Sequence, residues 1–255
     1  MLQDKIADKI AGKVAGRVAE KLEGSAAANP VPGSKSRKYV PQINSKLRHH
    51  ILKVPDAARN ASGILVNGRR IKSLVFTTDI AIIRNCNADA VLAVYPFTPQ
   101  PTISSSVLRY SSLPVFCGVG GGTTQGIRTL QLAWDAETEG AMGVVVNAPI
   151  GNEDVERIAN YIDIPLVVTV VNEQTDIAAR LNAGASILNV SAAARTPEVV
   201  RAIRRDFPDV PIIATGGGTE ESIMRTVEAG ANAISYTPPT TKELFSGMME
   251  DYRSR

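Results

Sequence analysis

Residues 211–238 read PIIATGGGTEESIMRTVEAGANAISYTP, and this stretch decides the fold. A proline opens a short apolar run, Ile212 to Thr215, which stops at three glycines, Gly216, Gly217 and Gly218. A helix-patterned segment follows, with Ile223, Met224 and Val227 as its buried stripe and Gly230 placed as its C-cap. A second apolar run then ends at Tyr236. Strand, turn, helix and strand in that order make one βαβ unit.

The unit recurs upstream. Pro114 precedes VFCGV and Pro165 precedes LVVTV, as Pro211 precedes IIAT. Between them lie runs that leave a small-residue turn: NADAVLAVYP from Asn87, EGAMGVVVNAP from Glu139, NAGASILNVS from Asn182 and EAGANAISYTP from Glu228. With IKSLVFTTD from Ile71 there are eight. Successive runs are spaced by about 20–25 residues, room for one strand, one helix and two short loops. Continuous Val/Ile/Leu runs suit parallel strands covered on both faces. The intervening helices are amphipathic: in NEDVERIANYID, Val155, Ile158 and Ile162 share a face. The expected fold is an α/β (β/α)₈ TIM barrel with an N-terminal helical extension and a hairpin. A doubly wound open sheet is the rival, opposed by the count of eight and by the lack of G-x-G-x-x-G after the first strand.

Three regions follow: an amphipathic helix over 1–24, a linker, short helix and hairpin strand over 25–70, and the barrel over 71–255. In the first, Ile6, Ile10, Val14, Val18 and Leu22 repeat every fourth residue and form an apolar seam. It suits packing on the barrel or on a second copy, so a homo-oligomer is expected; a membrane-surface helix is the alternative, and the seam carries no Trp or Phe for it. Ser45 is read as starting the short helix, with His49 and His50 as surface residues. Asn67-Gly68 signals a hairpin that would close the bottom of the barrel.

The 255 residues are 44% apolar, enough for one substantial core. A net charge of +3, with no basic block interleaved with aromatics, gives no reason to expect nucleic acid. No apolar run is long enough to span a bilayer. Two cysteines in no metal-binding spacing, and no secretory leader, point to the cytoplasm.

In a barrel of this type the working residues stand at the C-terminal ends of the strands. Here that rim is rich in amides and hydroxyls and poor in ionisable groups. Asp79 and Glu173 are the carboxylates immediately beyond strands, on opposite sides of the mouth, and are the candidate acid and base. Both could equally be helix caps. Cys117 is expected to point into the packed barrel, with no histidine to activate it. Apart from Lys72 at the very start of the first run, no predicted strand holds a lysine for Schiff-base chemistry, and no zinc or serine-hydrolase motif occurs. No cofactor is expected, with flavin or Mg²⁺ as the alternatives.

The glycine runs carry the functional weight. Gly120, Gly121 and Gly122, followed by Thr123, close the third strand, and Gly216 to Gly218 close the seventh, diametrically opposite. Glycine at a strand–helix turn exposes backbone N–H groups, and a helix N-terminus adds positive potential, so an anion is the expected ligand. Asn147, Asn189 and Thr215 would supply polar contacts, and Arg195 and Lys242 supporting cations.

The stretch from Pro211 to Pro238 resembles the closing quarter of the phosphate-binding barrels, which include the histidine and tryptophan biosynthesis isomerases and the sugar-phosphate epimerases. The resemblance implies that the amides of Gly216 to Gly218 hold a substrate phosphate. The paired runs are most similar to the phosphoribosyl isomerase of histidine biosynthesis, whose substrate carries two phosphates. The chain departs from that pattern at Pro238 and Pro239, which have no N–H to complete a phosphate cup, and at the fifth strand, where Thr169 and Asn172 replace an aspartate. The expected function is an enzyme on a small phosphorylated or otherwise anionic metabolite, by isomerase or lyase chemistry. A hydrolase at the same site and a non-catalytic binding or scaffold barrel are the alternatives.

Overall fold

A computed structural model of the chain describes Tyr39, Pro41, Ile43 and residues 51–254. The chain divides into two compact units, Met1–Lys46 and Leu47–Arg255. The helix expected over 1–24, the short helix begun by Ser45, and His49 and His50 lie outside the described residues.

The second unit opens with a 3₁₀ turn, Asp56–Asn60, and an antiparallel hairpin of β1 (Ile64–Val66) and β2 (Arg69–Ile71). Its turn residues take positive φ, 47° at Asn67 and 77° at Gly68, as the Asn-Gly pair requires. Eight parallel strands then close on themselves: β3 (Ser73–Phe76), β4 (Ala90–Ala93), β5 (Val115–Gly120), β6 (Gly143–Val146), β7 (Leu166–Val170), β8 (Ile187–Val190), β9 (Ile212–Thr215) and β10 (Ala233–Tyr236). β10 pairs with β3, which excludes the open sheet. The first barrel strand starts at Ser73 rather than Ile71, because Ile71 belongs to the hairpin. A helix follows each strand: α1 (Ile80–Arg84), α2 (Pro101–Tyr110), α3 (Ile127–Thr138), α4 (Asn152–Ala159), α5 (Ile177–Asn182), α6 (Thr196–Asp206), α7 (Glu220–Glu228) and α8 (Thr241–Arg253).

Period-two alternation divides the core in two. Leu74, Leu92, Phe116, Val145, Val167, Ile187 and Ile213 fill the barrel interior, and Ile64, Val66 and Ile71 of the hairpin join them from below, as expected. The alternate residues, among them Val75, Val91, Val144, Leu188 and Ala214, pack outward against Ile83, Val155, Val200 and Ile223 of the helices. Cys117 belongs to this outer layer, not the barrel interior, because its neighbours Phe116 and Gly118 take the inward positions of β5. Val155, Ile158 and Ile162 are buried together as predicted. In α7, Ile223 and Thr226 are the fully buried pair, while Met224 and Val227 lie at the margin.

Two glycines shape the interior. A Cβ on Gly143 would meet the Phe116 ring at 2.8 Å, so that glycine makes room for the largest side chain inside the barrel. Above Phe116, β5 offers only Gly118, and the interior is left open on that side.

Candidate functional site

The open space lies at the C-terminal end of the barrel, between the loops that follow β4, β5 and β6. It is a cavity of about 460 Å³ with Gly118 and Val145 among its lining residues, Gly120, Gly122, Thr123, Thr124 and Asn147 on one wall, and Val94 to Pro99 on the other.

The loop after β5 is built by its own hydrogen bonds. Gly121 N–H donates to the Thr124 carbonyl at 2.8 Å, and the Thr129 hydroxyl donates to the same oxygen at 2.9 Å. Gln125 Nε2 donates to the Gly122 carbonyl at 2.7 Å, and Gly126 N–H donates to Asp154 of α4 at 2.9 Å. Gly120 and Gly121 have φ of 126° and 93°. A Cβ on Gly121 would meet the Asn147 backbone N at 2.6 Å, and one on Gly120 the Thr124 carbonyl at 2.8 Å. These two glycines therefore serve the turn and its close packing. Gly122 differs: a Cβ there would find only Asn147 Nδ2, at 3.9 Å. Among the described residues, the N–H groups of Gly122, Thr123 and Thr124 have no hydrogen-bond acceptor. Three successive amides without an internal partner, on residues that line a cavity, are available to an anion.

The lining contains no Asp, Glu, Lys, Arg or His. Its phenol is that of Tyr95, whose Oη accepts the Gln100 N–H at 2.7 Å and donates to no acceptor among the described residues. Phe97 stands 74% exposed on the same loop. In the sequence Tyr95 is one of the rim residues just beyond the strands, with no role assigned to it, and Thr124 is not singled out. Their common signal is position just beyond a strand end, shared with a dozen other residues.

The predicted acid and base are engaged elsewhere. Asp79 is the N-cap of α1, one oxygen accepting from Ala81 N–H at 2.8 Å and Ile82 N–H at 3.2 Å. Its other oxygen accepts the hydroxyl of Thr241. That hydroxyl, with the two amides, outweighs partial burial and holds the carboxyl below its ordinary range. Glu173 pairs with Arg195 at 2.7 Å, both well exposed. Neither carboxylate lines the cavity. Lys242 lies exposed in the first turn of α8.

Around the other side of the mouth, Gly216 continues the strand pairing through its N–H to Ser235, and a Cβ there would strike Ile234 and Ile223 within 2.8 Å. Gly217 and Gly218 are exposed, and their N–H groups have no acceptor among the described residues. Thr215 meets Ser191 hydroxyl to hydroxyl at 3.3 Å. Asn189 is buried and donates to Thr169 Oγ1 at 3.3 Å. The structure thus brings Gly120, Gly122, Thr123 and Asn147 together in the cavity, and leaves Gly216 to Gly218, Lys242 and the Glu173–Arg195 pair outside its lining.

Among the described residues no group of three or more His, Cys, Asp or Glu side chains could hold a metal ion, and no strand contains a lysine. Burial, reinforced by Glu139, pushes the Cys117 thiol up to about 12, so it is no nucleophile. No helix among the described residues is long and apolar enough to cross a membrane.

No protein-family model matches the chain, and no curated protein matches it. Solved structures do. Phosphonopyruvate hydrolase superposes with a TM-score of 0.56 at 12% identity, covering 78% of this chain and 86% of that one. 2,3-Dimethylmalate lyase, a member of the PEP mutase/isocitrate lyase superfamily, gives 0.55 at 12%, covering 78% and 84%. Phosphoenolpyruvate phosphomutase from Streptomyces platensis subsp. rosaceus gives 0.54 at 12%, covering 71% and 80%. At such identities the likeness shows the TIM-barrel fold alone. It reaches the barrel at large and not the ribulose-phosphate-binding group that the glycine runs resemble, and it spans a hydrolase, a lyase and a mutase.

Proposed function

We propose that the chain is an enzyme that binds a small phosphorylated or otherwise anionic metabolite at the barrel mouth and acts on it by isomerase or lyase chemistry. One observation carries the reading: Gly122, Thr123 and Thr124, whose amides have no acceptor among the described residues, line a cavity of about 460 Å³. The cavity has no carboxylate to repel an anion. The resemblance to the phosphate-binding barrels agrees, with the anion moved from the seventh strand to the third.

Backbone amides fixed by a self-bonded loop favour negative charge on oxygen, both in a bound phosphate and in an enolate or alkoxide forming during bond cleavage or isomerisation. Tyr95 is the group placed to exchange a proton with such an oxygen. Asp79 is committed to its cap, which shifts the acid–base role to Tyr95.

Gly122→Leu tests the reading. Its side chain has space on the cavity side and no strained φ, so the fold should persist. Thermal shift with inorganic phosphate should show wild type stabilised by about 2.7 kcal/mol at a hundredfold excess over the dissociation constant, and the variant by much less. Equal shifts in both would refute the site.

A non-catalytic binding barrel is the second reading, favoured by the lack of charged side chains in the lining. Phosphorus NMR of the protein with a panel of sugar phosphates and phosphorylated hydroxy acids separates the two. Conversion that falls by about 10²–10⁴ in Tyr95→Phe supports the enzyme; binding without conversion supports the second reading.

A further inference from the structure

We propose that Phe97 stacks on a flat aromatic ring of the bound ligand, which makes the substrate class an aromatic ring that carries an anionic group; this rests on the anion reading of the mouth. Phe97 lies on the loop after β4 and lines the same cavity as Gly122, Thr123 and Thr124. It packs in neither layer of the core and is 74% exposed. Its burial therefore contributes little to the fold, and most of its surface is open to a ligand in that cavity.

The loop keeps Phe97 in place. Pro96 and Pro99 fix φ on either side of it, Pro101 opens α2, and the Gln100 N–H donates to Tyr95 Oη at 2.7 Å, closing the segment 95–100 on itself. A side chain carried on such a segment is ordered before a ligand arrives, so binding against it loses little conformational freedom. The two aromatic residues of the lining differ: Tyr95 is half-buried and tied through its phenol oxygen, whereas Phe97 has no such tie.

Charge and volume select the partner. The lining holds no Asp, Glu, Lys, Arg or His, so a charged group set against Phe97 would find no counter-ion, and an aromatic ring needs none. A single six-membered ring fits an apolar cavity of about 150 Å³. The cavity of about 460 Å³ leaves room for such a ring and an anionic group together. Aromatic pairs gain beyond the area they bury, which an aliphatic ligand does not, so this residue type favours a π-face.

The test uses the full chain and three ligands that share the anion, phenyl phosphate, cyclohexyl phosphate and inorganic phosphate, titrated calorimetrically. Wild type should bind phenyl phosphate about fivefold more tightly than cyclohexyl phosphate, which has a ring of the same size without the π-face. Phe97→Leu keeps an apolar side chain and should bring the two esters within about twofold, with inorganic phosphate affinity and ligand-free melting temperature as in wild type. Phe97→Tyr, which keeps the π-face, should retain the preference. Equal affinities for the two esters in wild type, or a preference that survives Phe97→Leu, would overturn the inference, while binding of inorganic phosphate would leave the anion site standing. A lower melting temperature in Phe97→Leu would assign the residue to the fold and overturn the inference equally. Failure of wild type to bind any of the three would defeat the anion reading, and this inference with it.

Discussion

Asp79 commits both carboxylate oxygens to the fold, one to the first amides of α1 and the other to Thr241. Replacing it with Ala should cost about 1 kcal/mol through the lost cap, measured by urea denaturation at pH 7. Because its folded pKa lies below the unfolded value, its contribution is present above about pH 4 and is lost as pH falls through the folded pKa. Asp79→Asn should therefore flatten the acid side of the stability profile below about pH 4, and an unchanged profile would contradict the assignment. Gly121 and Gly122 should differ sharply although adjacent. Gly121→Ala combines a φ of 93° with a Cβ 2.6 Å from Asn147 N, so it should destabilise by more than about 1 kcal/mol. Gly122→Ala should be close to neutral in ligand-free stability. The sequence displays three equal glycines and a rim aspartate. Which glycine turns, which faces the cavity and whether Asp79 is free all depend on Asn147 and Thr241, partners brought close only by folding.

Helices were legible where one face repeats and the other is charged. Val155 and Ile158 of α4 and Ile223 of α7 are buried where the period puts them. Ile223→Ala should cost about 2–5 kcal/mol, since Ile223 is fully buried between strand and helix layers. α8 behaves otherwise. None of its residues is buried, and Phe245 and Tyr252 are 62% and 58% exposed despite an apolar stripe. Phe245→Ser should therefore change the stability of the barrel by no more than about 0.5 kcal/mol. A larger loss in chemical denaturation would mean that this face is covered in solution. The hairpin was legible from two residues alone, because Asn67 and Gly68 tolerate the positive φ of a two-residue turn. Its bounds were not: Ile71 closes the hairpin and Ser73 opens the barrel, a division that pairing partners impose.

The closed cylinder is pinned from below by one side chain. Arg204 of α6 donates to the carbonyls of Gly230 at 2.8 Å and Val210 at 2.9 Å, and to Asn232 Oδ1 at 2.8 Å. Asn232 in turn accepts from the Ile212 amide and donates to Ser62 before the hairpin. Arg204→Met keeps the apolar stem and strands these acceptors, so a loss of about 2–3 kcal/mol is expected, with Arg204→Lys recovering only part because it lacks the planar fork. Equilibrium unfolding of the two variants checks both. Nothing in the linear order marks this arginine among its neighbours Arg201 and Arg205.

The eightfold alternation of apolar runs and amphipathic segments is a local property, set by side-chain period and by proline and glycine, so the barrel could be read from the chain. The cavity could not. It exists because Gly118 leaves the interior empty above Phe116, and because three loops far apart in sequence meet over that gap. Likewise, that Asn189 Oδ1 is buried without a hydrogen-bond partner among the described residues is a statement about what surrounds it. Hydrogen-bond satisfaction and empty volume belong to neighbours in space, and only the closed barrel decides who those neighbours are.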